Sequence, residues 1–202
     1  MNNTQRKLII RYLKAFANLY GIIPIKEAQN MLDESDDKRL SIKIFLGGRD
    51  ITDPDKYGLI TEDGLIIHDD VIFLDDGFFE ELTEAQKGKS YARLPKDEIL
   101  KYEAPDYYEN TPQFRNMVTF LHFALQITAQ EATEIAENVA YMCKAEMQPD
   151  QIFEELEREG ITFANTDQYN QFLQKYTDMA NNTRLWANCG HTPSELRKIM
   201  LT

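Results

Sequence analysis

Helix-start signals recur along the second half of the chain and constrain its fold more than any other feature. In each, a threonine that can accept a hydrogen bond from a free backbone N–H is followed by a proline or glutamate suited to the first helical turn. The three signals are Thr111-Pro112, Thr128-x-x-Glu131 and Thr192-Pro193-Ser194-Glu195. After the first, Phe114, Met117 and Leu121 form an apolar stripe that Phe123 widens. The sequence therefore predicts a series of helices here.

Three further helices are predicted near the amino terminus. Apolar residues recur at helical spacing over residues 5–20, and Gly21 can end that helix because glycine adopts a positive φ without cost. Pro24 suits the first turn of a second helix. A short third helix is expected over Ser41–Leu46, ended by Gly47-Gly48.

A β-hairpin is expected next along the chain. Leu59-Ile60-Thr61 and Leu65-Ile66-Ile67 flank Asp63-Gly64, a pair that two-residue hairpin turns favour. Three helices followed by a hairpin is the order of a winged-helix domain. We therefore expect a mainly α fold, with a winged-helix-like unit and acidic segment over residues 1–82 and an α-helical domain over residues 83–202.

The composition limits the classes of function. The 202 residues are 43% hydrophobic, which suits one domain or two small ones, and their net charge of −12 disfavours a surface that binds nucleic-acid phosphates. Cys143 and Cys189 are too few for a disulfide framework. Neither a signal peptide nor a bilayer-spanning apolar stretch is expected. We expect a cytoplasmic protein with free thiols and no membrane partner.

An acidic run without lysine or arginine extends from Tyr57 to Gln86 and contains nine carboxylates. Its paired acids alternate with isoleucine, leucine and phenylalanine. The candidate partner-binding residues are Asp69, Asp70, Asp75, Asp76, Glu80 and Glu81. The run is either the solvated face of an amphipathic stretch or an acidic docking surface, backed by aromatic side chains, for a basic partner. A binding site for a divalent metal ion is a third possibility, but the acids do not have the D-x-[DN]-x-[DN]-G spacing of calcium-binding loops.

The segment NNTRLWANCGHTPSEL, residues 181–196, is predicted to be a structural latch. Asn181 or Asn182 can close the preceding helix in the left-handed conformation. Trp186 is expected to pack against the helical unit, and Arg184 to stack on it or pair with a carboxylate. The latch residues are Asn181, Asn182, Thr183, Arg184, Trp186, Gly190, Thr192, Pro193 and Glu195.

The same segment resembles the closing motif of a bacterial protein family, common in Firmicutes, that often carries a C-terminal SEC-C zinc-binding motif. LYGIIPIKEA, DGLIIHDDV and YARLPKDEILKYEAPDYYENTPQF resemble other parts of that family. The resemblance implies no particular reaction. Cys189 stands where the family usually has arginine, and residues 190–202 contain no cysteine, so we do not expect zinc binding through a SEC-C motif.

No catalytic residue, metal site or cofactor is predicted. A serine or cysteine nucleophile needs a neighbouring base, and His68, His122 and His191 lie in no motif of that kind. The glycines form no phosphate-binding loop. Cys189 and His191 alone fall short of the roughly four ligands of a structural zinc site. The sequence therefore favours a protein that is not an enzyme.

Three functions remain open. The first is an adaptor that binds another protein through its acidic stretch and helical unit. The second is an acidic inhibitor, of the anti-defence or anti-CRISPR type encoded by mobile elements, that mimics nucleic acid and binds a basic nuclease. The third is a transcriptional regulator, although the basic residues lie mainly on the first helix. The protein-interaction function is the leading hypothesis.

Overall fold

A computed structural model describes residues 1–35, 37, 39–73, 77–105, 107–144, 147 and 149–201. The chain is mostly helical with a small three-stranded antiparallel sheet, which confirms the predicted mainly α fold with a β-hairpin. It divides into two compact units. Unit 1 comprises Met1–Tyr107 and Trp186–Gly190, and unit 2 comprises Tyr108–Leu185 and His191–Thr202.

Unit 1 contains short helices around one long helix and the sheet. Its elements are α1 (Asn3–Tyr20), β1 (Ile22–Pro24), α2 (Ile25–Glu34), α3 (Ile42–Leu46), α4 (Pro54–Tyr57), β2 (Leu59–Glu62), β3 (Leu65–His68), α5 (Asp69–Phe73), α6 (Phe78–Gln86) and α7 (Lys96–Ile99), with 3-10 turns at Leu100–Glu103 and Trp186–Asn188. Gly21 ends α1 at φ +68°, as predicted. The helix begins earlier than predicted because Asn2 and Gln5 form a capping box.

The sheet has the strand order β1-β3-β2, with both pairs antiparallel. The predicted hairpin is confirmed: β2 and β3 pair around Asp63 and Gly64, which take positive φ values of 49° and 80°. A type I′ turn requires this conformation at both central residues. Strand β1 was not predicted, because three residues are too few to establish an alternating pattern.

The two faces of the sheet bury different side chains. Leu59 and Ile66 belong to a core with Ile9 and Phe16 of α1. On the other face, Ile67 joins a smaller apolar cluster that consists of Ile22, Ile67, Val71, Leu82 and Trp186. Successive strand residues point to opposite faces, which is why Ile66 and Ile67 enter different clusters.

Unit 2 is helical. Its elements are α8 (Pro112–Leu125), α9 (Ala129–Lys144), α10 (Pro149–Arg158), α11 (Thr166–Ala180) and α12 (Pro193–Met200). Thr111 caps α8 and Thr192 forms the predicted capping box with Glu195. The expectation that Phe123 widens the buried stripe of α8 is wrong, because its side chain is 73% exposed.

The division between the units falls at Tyr107–Tyr108, whereas the predicted boundary is near residue 82. Ala92, Ile99 and Tyr102 extend unit 1 past that point, because they are buried in the same core as α1. Within the described part of the chain, no helix has the length and apolar content needed to cross a bilayer.

Candidate functional site

The closing segment contributes Trp186–Gly190 to unit 1 and its remaining residues to unit 2. Trp186 therefore does not pack in the helical unit, and that prediction is wrong. Its indole N–H donates to the carbonyl of Asn18 at 2.8 Å, and its ring lies 4.9 Å from the ring of His68. A Cβ at Gly21 would lie 2.8 Å from the indole, so only glycine leaves room for this ring.

Hydrogen bonds hold the backbone of Trp186–Gly190 in unit 1. The Gln86 amide donates to the carbonyls of Tyr20 at 2.7 Å and Trp186 at 2.8 Å. The Ala92 N–H donates to the carbonyl of Cys189 at 2.9 Å. A Cβ at Gly190 would lie 2.6 Å from the ring of Tyr20. These contacts give this part of the segment a structural role.

Arg184 forms a partly buried ion-pair cluster within unit 2. Its guanidinium donates to both carboxylate oxygens of Glu195, at 2.7 and 3.0 Å, and to Glu109 at 3.0 Å. Burial alone would lower the pKa of Arg184, but these two carboxylates raise it above its ordinary value. Of the two predicted roles for Arg184, pairing with a carboxylate is therefore the one observed.

The other latch residues of unit 2 form local hydrogen bonds. The Asn181 carbonyl accepts from the Ser194 N–H at 3.0 Å, and the Thr183 hydroxyl donates to the Met179 carbonyl at 2.9 Å. The Asn182 amide donates to the Asp178 carbonyl, and Pro193 occupies the first turn of α12. The prediction that an asparagine closes α11 in the left-handed conformation is wrong, since Asn181 is helical at φ −64°.

The acidic run forms a groove in unit 1 beside the second face of the sheet. The groove encloses about 260 Å³ and is lined by Glu62, Ile67, Val71, Ile72, Gly77, Phe79 and Glu80. We call these residues the acidic groove. Ile72 is 38% exposed and the neighbouring Phe73 is 68% exposed. The site thus combines carboxylates with apolar side chains that solvent can reach.

The predicted partner-binding acids divide into two sets. Glu80 lines the groove and Glu81 follows it, and both are exposed and form no ion pair with any described residue. Asp69 and Asp70 instead lie beside His68, whose Nδ1 is 3.0 Å from Asp69 Oδ1 and 3.7 Å from Asp70 Oδ2. The remaining two predicted residues, Asp75 and Asp76, lie outside the described residues.

Glu62 is a groove residue that sequence reasoning missed as a binding candidate. It ends β2, and its exposed carboxylate also forms no ion pair with the described residues. The predicted hairpin indicates its position, because Glu62 pairs with Leu65 across the turn, and the strand that begins at Leu65 leads into the rest of the acidic run. The groove therefore joins carboxylates that are distant in sequence.

One cluster among the described residues could hold a metal ion. The ligand atoms of His68, Asp69 and Asp70 lie within 4.8 Å of one another. The Asp70 N–H also donates to His68 Nδ1 at 3.2 Å and to Asp69 Oδ1 at 3.1 Å. Hydrogen bonds from the Asp70 N–H account for this arrangement without a metal, so we assign no metal site here.

The two thiols are buried. Burial raises the pKa of Cys143 to about 12 and that of Cys189 to about 11, so both are protonated at neutral pH. The Cys189 thiol donates to the Gln86 carbonyl at 3.7 Å. These cysteines lack the thiolate character that a nucleophile requires.

Comparison with models of protein families, with curated proteins and with solved structures finds no match for this chain. The resemblance to the SEC-C-associated family therefore stays a prediction. Function is inferred below from the groove, its charges and its apolar walls.

Proposed function

We propose that this chain is a non-enzymatic protein-interaction protein whose acidic groove binds a basic, amphipathic segment of another protein. One observation carries the proposal. Glu62 and Glu80, which are exposed and have no ion-pair partner among the described residues, border an open groove of about 260 Å³ that the apolar side chains of Ile72 and Phe79 also line.

The groove favours a ligand with one apolar and two basic side chains. The open groove buries only part of a leucine-sized side chain, against Ile72 and Phe79, and this contact contributes on the order of 1 kcal/mol. An exposed ion pair contributes about 0.2–1 kcal/mol. The apolar contact and the two ion pairs therefore contribute comparable amounts to the affinity, and the carboxylates determine the sign of the charge that is accepted and the salt dependence.

Fluorescence anisotropy with synthetic peptides tests this proposal. A labelled lysine/leucine peptide should bind the full chain and dissociate as salt increases, whereas a glutamate/leucine peptide of equal length should not bind. The double variant Glu62→Gln, Glu80→Gln should weaken binding about tenfold.

The matched control is Glu154→Gln, Glu157→Gln on α10, which removes two exposed carboxylates from unit 2. It changes the net charge equally and should leave the affinity unchanged. An equal loss in both double variants would mean that net charge alone attracts the peptide, and the proposal would be wrong.

The acidic inhibitor is the second candidate, because the same exposed carboxylates, Glu62 and Glu80, could occupy the basic groove of a nuclease. The two candidates differ in their need for an apolar ligand group. A nucleic-acid mimic should bind oligolysine as tightly as a lysine/leucine peptide of equal charge, whereas the acidic groove should prefer the peptide with leucine.

A winged-helix regulator is the third candidate, and the acidic end of the hairpin argues against it. The turn of the hairpin carries Glu62 and Asp63, and the helix in the third position, α3, exposes Ile44. A DNA duplex that shifts on a gel with this chain at low salt would favour the regulator. We also propose a cytoplasmic location, because Cys143 and Cys189 are unpaired thiols.

A further inference from the structure

A second surface of unit 1 has the opposite charge to the acidic groove. On α3, Ile44 is 68% exposed and Lys43 is exposed beside it. Arg39 precedes the helix and Arg49 follows it, both exposed. None of these three cations pairs with an acid in the described part of the chain. We call Arg39, Lys43, Ile44 and Arg49 the α3 surface.

The α3 surface and the acidic groove are complementary in two respects. The first has an exposed isoleucine and three exposed cations with no acidic partner among the described residues, and the second has two such carboxylates, Glu62 and Glu80, in an open groove that Ile72 and Phe79 also line. Asp50, the acid next to Arg49, is engaged by a hydrogen bond from the Thr61 hydroxyl at 3.0 Å. The α3 surface therefore has the chemistry that the groove requires of its ligand.

One molecule cannot join its own two surfaces. Ile42 anchors α3 in the core that contains Leu59 and Ile66, on the first face of the sheet. The groove residues Ile67 and Val71 belong to the cluster on the second face. Because the sheet separates the two clusters, the α3 surface can reach an acidic groove only on another molecule.

We propose that this chain associates with a second copy of itself, with the α3 surface of one copy docked in the acidic groove of the next. The inference rests on the proposed function, since it names the partner of the groove. Ile44 fills the cavity and the cations face Glu62 and Glu80. Because the two surfaces differ, the contact is head to tail, and it produces open chains or closed rings.

DNA is the other ligand that unpaired cations on α3 suggest. A phosphate backbone is recognised mainly by charge and polar hydrogen bonds. The exposed Ile44 of the α3 surface gains more from contact with Ile72 and Phe79 than from phosphates. A second copy of the chain is therefore the favoured occupant.

Sedimentation velocity of the full chain tests the inference. At low salt the average mass should rise with protein concentration, and added salt should reverse the rise. Lys43→Glu, Arg49→Glu disables the α3 surface, and Glu62→Lys, Glu80→Lys disables the groove. Each double variant alone should weaken association at least about tenfold. All four side chains are exposed, so circular dichroism should confirm that both variants fold.

Mixing the two double variants gives the sharpest result. The first retains an intact groove and the second an intact α3 surface, and the two reversed surfaces are also opposite in charge, so an equimolar mixture should recover the association that neither variant shows alone. A wild-type chain that stays monomeric while the lysine/leucine peptide still binds would overturn this inference and leave the proposed function standing. DNA binding that is lost with Lys43→Glu, Arg49→Glu alone would also overturn it.

Discussion

Replacement of Trp186 by alanine should lower the free energy of unfolding by about 3–5 kcal/mol. The side chain is only 9% exposed. Burial of a tryptophan removes roughly 200 Å² from water, which is worth about 5 kcal/mol at about 25 cal/mol per Å². The alanine methyl group retains a small part of this, and the Asn18 carbonyl loses the indole N–H that donates to it.

Urea unfolding followed by circular dichroism measures this cost, because the variant lacks the single tryptophan of the chain. Trp186→Phe keeps an aromatic ring but removes the indole donor, and it should cost clearly less. Phe123→Ala, at a residue that is 73% exposed, is the matched control and should change stability by no more than about 0.5 kcal/mol. If Trp186→Ala costs less than about 1 kcal/mol, the structural role of this segment is wrong.

Three other results should follow from the closing segment and the thiols. Arg184→Met should cost about 1–3 kcal/mol in urea unfolding, since it leaves two partly exposed carboxylates without their cation. Burial alone would raise the pKa of Glu195, but Arg184 and the Thr192 cap lower it below its ordinary value. The pair therefore stabilises the fold at pH values above the ordinary glutamate pKa, and this stability is lost as the pH falls through the lowered pKa. Arg184→Met should make the stability less dependent on pH in this acid range. Thr192→Ala should cost about 1 kcal/mol, and no loss would exclude the cap. Cys143 and Cys189 should react with a thiol reagent only after unfolding, and rapid reaction of the native protein would contradict their burial.

Local chemistry is what the sequence predicts well. The caps at Thr111 and Thr192 and the turn at Asp63-Gly64 were predicted because each depends on neighbouring residues only. Strand β1 has just three residues, and its pairing with β3 joins residues more than forty positions apart. No pattern among neighbouring residues predicts the pairing of β1 with β3.

The sequence predicted which acidic residues could bind a partner, but it did not predict how they are arranged in space. The acidic run was identified, yet the sequence could not indicate that Asp69 and Asp70 lie beside His68 while Glu62 and Glu80 border one cavity. The position of Trp186 was wrong for the same reason. Its partner Asn18 is 168 residues away, and the space for its ring depends on Gly21.

Amide chemical-shift mapping of the full chain with the lysine/leucine peptide tests the central proposal most directly. The largest shifts should occur at the groove residues Ile72, Gly77, Phe79 and Glu80, and they should require about tenfold more peptide in the variant Glu62→Gln, Glu80→Gln. Shifts concentrated on the acidic helix α10 of unit 2, or no shifts at any peptide concentration, would contradict the assignment of the acidic groove as the binding site.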